Sequence, residues 1–109
     1  MSVKEFLEQA KYKEAKRLFD EKSIAFDKAA QAYKDNDDKE KEAELANASR
    51  SAWALYSYYM SNMFYLAETI KDDDINLVTE AAKELKQIVF NDLQKKYEFI
   101  METMKPQNS

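Results

Sequence analysis

The sequence contains no glycine at all, and its single proline, Pro106, is followed by only three residues. Glycine is the residue that lets a backbone adopt positive φ or approach a ligand closely. A chain without it carries no GxGxxG dinucleotide loop, no P-loop and no GxSxG nucleophile elbow. Histidine and cysteine are also absent, which removes zinc-finger ligation, haem attachment, cysteine nucleophiles and histidine-based triads. No cofactor is implied, and the sequence reads as that of a non-enzymatic protein. No two acidic residues converge from apolar faces in the way an acid-base pair requires.

Without glycine as punctuation, the segments must be read from caps and charge clusters. Ser2-Val3-Lys4-Glu5 has the form of a capping box, in which each side chain serves a free amide of the other residue. It predicts a first helix over about 3–34. Asp35-Asn36-Asp37-Asp38 is a turn, with Asp37 and Glu40 repeating the capping logic for a second helix over about 38–71. Asp72-Asp73-Asp74 breaks the chain again and places negative charge at the N-terminus of a third helix, about 75–104. Lys105-Pro106 ends it, leaving 105–109 as a tail. With no glycine to terminate a helix in the left-handed conformation, that position falls to Asn36 or to an Asp or Lys near 71–73.

The fold class expected is all-α, in one domain. Short breaks favour antiparallel neighbours, so three long helices form an up-down-up bundle. Tyr12, Ala15, Phe19, Lys22, Phe26, Ala29 and Tyr33 repeat at spacings of three and four, as do Leu45, Ser49, Ala52, Tyr56, Tyr59, Met63, Leu66 and Ile70. These are coiled-coil-like heptad seams. The third helix carries Val78, Ala82, Leu85, Val89, Leu93, Tyr97, Ile100 and Met104.

Lys22 and Asp92 are the two charges placed on otherwise apolar stripes, at similar heights in helices expected to run parallel. They predict a polar core layer with a Lys22–Asp92 pair that fixes register. The alternatives are a ligand-anchoring pair, or a Lys22 that snorkels to water. The acidic runs at 35–38 and 72–74 invite a calcium reading, but Glu40 stands where an EF-hand loop needs glycine, and capping explains both.

The uncharged run Ser51 to Ala67 is the most informative stretch. At 100° per residue, Ala54, Ser57, Tyr58, Ser61 and Tyr65 fall opposite the core seam, where a solvated helix carries Lys and Glu. In the third helix, Phe90, Tyr97 and Met101 likewise lie away from Leu85. Tyrosine gives large contact area at low entropic cost. The expectation is a helical protein-protein interaction module of adaptor, scaffold or inhibitor type, self-associating or binding a helical partner through these two faces. The alternative is a binder of an apolar small molecule or lipid in a pocket of Met60, Met63, Met101, Met104 and nearby aromatics.

Charge narrows the partners further. The net charge is −4, with the acidic excess confined to the middle third and no basic stripe, which argues against nucleic acid. The uncharged run spans only seventeen residues and includes three Ser, one Asn and four Tyr. That is short of the roughly 20 apolar residues of a transmembrane segment. Charged residues throughout the first twenty positions show no signal-peptide pattern, and the missing cysteines suit a cytoplasmic location.

Overall fold

A computed structural model describes residues 1–103 of the chain. Four helices pack against one another: α1 (Val3–Leu7), α2 (Ala10–Asp35), α3 (Glu42–Glu68) and α4 (Ile75–Thr103). No strand occurs among the described residues. The particle measures 57 × 28 × 17 Å with a radius of gyration of 17.3 Å. A globule of this length would have about 13 Å, so the long helices set an elongated shape.

The expected first helix is divided in two. Glu8 still has helical backbone, but Gln9 turns to φ −58° and ψ 144° before α2 begins. The cause lies in the phase of the apolar residues. Extending the Tyr12–Ala15–Phe19 stripe backwards lands on Glu8 and Glu5, whereas the apolar side chains are Val3, Phe6 and Leu7. A break lets Phe6 become buried, with its ring 5.3 Å from that of Tyr12, while α1 packs against α4. The capping box half-forms. Ser2 Oγ accepts from the Glu5 amide at 3.1 Å, while Glu5 accepts the Ser2 hydroxyl proton rather than bonding the Ser2 amide.

The breaks at both ends of α3 are longer than expected. Asn36 Oδ1 accepts from the Asp38 amide and Asp38 Oδ1 from the Glu40 amide. These local bonds hold a turn that delays α3 to Glu42 rather than residue 38. At the far end α3 stops at Glu68 instead of residue 71, because the Thr69 hydroxyl donates back to the Tyr65 carbonyl at 2.8 Å. Ile70 then turns inward and is buried. Asp74 caps α4 as the acidic run implied, its carboxylate accepting from the Leu77 amide at 3.1 Å.

No described residue has positive φ. The expected left-handed terminator is therefore corrected: Asn36 is extended, at φ −74° and ψ 129°, and the Thr69 hydroxyl serves the last carbonyls of α3. A chain with no glycine ends its helices by extension and side-chain bonding.

The core follows the seams with a drift. In α2 the buried residues are Tyr12, Ala15, Phe19, Ser23, Phe26 and Ala30, so the stripe steps by four at Ser23 and leaves Lys22 at its margin. Tyr56, Met63 and Ala67 are the buried centre of α3. On α4 the row is Leu77, Ala81, Leu85 and Val89, one position earlier than expected at Val78 and Ala82. Aromatic rings join the helices: Phe19 meets Tyr56 at 5.3 Å and Phe26 meets Trp53 edge-on at 5.0 Å. Such pairs contribute about 0.5–1.5 kcal/mol each beyond the area they bury.

Candidate interaction faces and the buried charge layer

Of the charges expected inside, Asp92 does enter a polar layer, but its cationic partner is Lys96. The Lys96 side chain is 2% exposed. Its ammonium donates to Ser23 Oγ at 2.7 Å and lies 3.0 Å from Asp27 Oδ1 and 3.2 Å from Asp92 Oδ2. Three acceptors thus surround a group with three protons to give. Asp92 Oδ2 also receives the hydroxyls of Ser23 at 2.7 Å and Tyr56 at 2.8 Å. The Tyr56 ring lies beneath the ammonium, 5.2 Å from Nζ. No buried side-chain nitrogen or oxygen among the described residues lacks a partner.

This layer corrects the Lys22–Asp92 pair. Lys22 Nζ lies 3.3 Å from Glu21 Oε1 and 5.8 Å from the centre of the Tyr59 ring. The height expected for the layer matches, since Ser23, the next residue, bonds Asp92. The helical phase does not match, because the four-residue step in the α2 stripe turns Ser23 inward and Lys22 aside. Lys96 was the residue missed. Its signal was its spacing, seven after Val89 and four after Asp92, which places it on the same face as both.

The layer also sets protonation. Burial opposes the charge on Asp92, but the hydroxyls of Ser23 and Tyr56 and the Lys96 ammonium together outweigh it, holding the carboxyl below its usual range. Burial, and then the Asp92 carboxylate that accepts its proton, push the Tyr56 phenol well above its ordinary value. Both effects keep the native charge state in place across neutral pH. Through Ser23 and Asp27, Tyr56, and Asp92 and Lys96, the layer ties α2, α3 and α4 together.

Most of the residues expected on the two interaction faces lie on the surface. Tyr58 is 67% and Tyr65 64% exposed, and Ala54 and Ser61 are exposed with them, while Ser57 is half-buried. Leu55, also exposed, extends the face. The Tyr58 ring leans edge-on against Tyr59 at 5.1 Å. On α4, Phe90, Tyr97 and Met101 are exposed, and Phe90 reaches the α3 edge through its ring contact with Phe64 at 5.5 Å. Of the methionines proposed as a pocket, Met63 is fully buried in the core and Met101 is exposed, with Met60 half-buried between. Met104 lies outside the described residues.

The acidic turns use their oxygens on their own backbone, as at Asp38, Asp72 and Asp74. Among the described residues no group of three or more acidic side chains gathers as metal ligands. No described helix is long and apolar enough to cross a membrane. Compared with protein-family models, with curated proteins and with solved structures, the chain has no significant match.

Proposed function

We propose that this protein is a non-enzymatic helical interaction module whose contact surface is the outer face of α3, extended at its edge by the Phe90–Tyr97–Met101 stripe of α4. The observation that carries this reading is the surface position of Ala54, Tyr58, Ser61 and Tyr65 within a helix that has no charge from Ser51 to Ala67. An isolated exposed apolar residue needs no explanation. Two tyrosines a helical repeat apart, with only small or uncharged neighbours, form a patch that another helix can approach closely.

In this reading the three long helices run up, down and up with coiled-coil-like packing. Supporting that order, α2 residues later in the chain meet earlier residues of α3, as in Phe19–Tyr56 and Phe26–Trp53. Ser23–Asp92 and Asp27–Lys96 instead advance together. The buried layer is a register device, and the outer face of α3 is left for recognition.

The test compares the parent with a Tyr58→Glu/Tyr65→Glu variant by sedimentation and by retention of partners on an affinity column. The parent should associate, with itself or with a retained helical protein. The variant, equally stable to urea, should lose that association. Identical behaviour of the two overturns the reading.

A further inference from the structure

The geometry points to a second copy of this chain as the occupant of the α3 face, packed antiparallel about a two-fold axis near residues 59 and 60; this rests on the interaction reading above. At 100° per residue, Ala54, Tyr58, Ser61 and Tyr65 lie within an arc of about 60° on the exposed side of α3. Their spacings of four, three and four read the same in both directions, but their sizes alternate small, large, small, large. Reversing a second copy therefore sets Tyr65 over Ala54 of the other copy and Tyr58 over Ser61. Each large ring meets a small residue, twice over, as an isologous contact demands. A parallel copy would place tyrosine against tyrosine.

Charge supports the same arrangement. The uncharged face is closed by Arg50 at one end and Glu68 at the other, both exposed. They are eighteen residues apart, about five turns, and so share one side of the helix. Two-fold antiparallel packing keeps that side in common and reverses height, bringing Arg50 of each copy to Glu68 of the other. Among the described residues neither makes an ion pair, although Arg50 donates to Asn47. The face is also where two copies of a net-negative chain can meet without opposing charges over four turns.

Sedimentation equilibrium at low salt, over about 1 to 300 μM, tests the arrangement on the parent, Arg50→Glu, Glu68→Arg and the double reversal. Both positions substituted are exposed, and circular dichroism checks that the helices persist. The parent should dimerise, and each single reversal should weaken the dimer about tenfold, since two attractive pairs become two repulsive ones. The double reversal should return to within about threefold of the parent. A dimer indifferent to the single reversals, or one not restored by the double, overturns this packing. A monomeric parent that retains a partner through Tyr58 and Tyr65 overturns the second copy while leaving the interaction reading. A monomeric parent with no such partner removes both.

Discussion

The outer faces of α2 and α3 solve opposite problems with helices of nearly equal length, 26 and 27 residues. On α2, Arg17 is forked between Glu14, at 2.6 Å, and Glu21, at 3.1 Å, while Lys16 meets Asp20 at 2.7 Å. Pairs of this kind, three or four residues apart, give a solvated helix weak, salt-dependent support. Among the described residues α3 takes part in no ion pair. Between residues 51 and 67 its exposed side offers tyrosine, leucine, serine and alanine instead. The inner faces of the two helices are alike, aromatic and closely packed. The difference lies on the outside, and the interaction proposed for α3 would account for it.

Substitution inside should cost stability in either helix, and substitution outside should separate them. The largest effect belongs to Lys96→Ala, which leaves Asp92 without its cation in a part-buried layer. Unfolding in urea should report a loss of about 3–5 kcal/mol. Met63→Ala, at a fully buried position of α3, should follow at about 2–5 kcal/mol by the same measurement. Neither should depend on protein concentration in a variant that has also lost Tyr58 and Tyr65.

The acid limb sharpens the view of the inner layer. Asp92 has a lowered pKa in the fold, so the unfolded chain takes up its proton first as the pH falls. Its contribution to stability is full above the usual carboxylate value of 3.8 and is lost as the pH drops below that value through the folded one. Asp92→Asn should flatten this part of the stability profile, and urea midpoints from pH 6 to about 2 would read the change. Tyr56 has the opposite sign. Its raised pKa favours folding below the ordinary value of 10.0, and that support fades as the pH climbs above it.

The outer faces should respond least in stability and most unequally in association. Arg17→Ala on α2 should cost little stability, less still as salt rises, and leave the sedimentation profile unchanged. Tyr58→Glu/Tyr65→Glu on α3 should change stability by no more than about 0.5 kcal/mol yet remove association. Equal effects of the two substitutions on sedimentation would erase the contrast between the faces.

Most of the helical layout was legible in the sequence because apolar spacing and acidic breaks are local signals. Three long helices and the surface position of Tyr58, Tyr65, Phe90 and Met101 could be read that way. The break at Gln9 was hidden by a capping box that is satisfied equally by a five-residue helix. Its one clue, the phase mismatch of Phe6 with Tyr12, matters only once α4 is there to receive Phe6. The late start of α3 depended on Asn36 and Asp38 bonding their own backbone, which competes with capping at the same residues.

The polar layer was legible to within one residue in α2. A strict heptad carried the seam through Lys22, and a single four-residue step moved it to Ser23. On α4 the same strictness placed Tyr97 on the seam and overlooked Lys96 beside it. A lysine does not register as a core residue by composition. Ser23, Asp27, Asp92 and the Tyr56 ring, drawn from three helices, are what make its burial tolerable.

The contrast between the two outer faces can be read in one cross-linking measurement, because the chain contains no cysteine. Ser61→Cys places a single thiol close to the proposed two-fold axis on α3, and Lys28→Cys places one on the exposed side of α2. On mild oxidation, Ser61→Cys should form a disulfide-linked dimer rapidly, and Lys28→Cys only at the slow rate of random collision. Equal rates at the two sites, or faster linkage through Lys28→Cys, would contradict an α3 face built to meet its own copy.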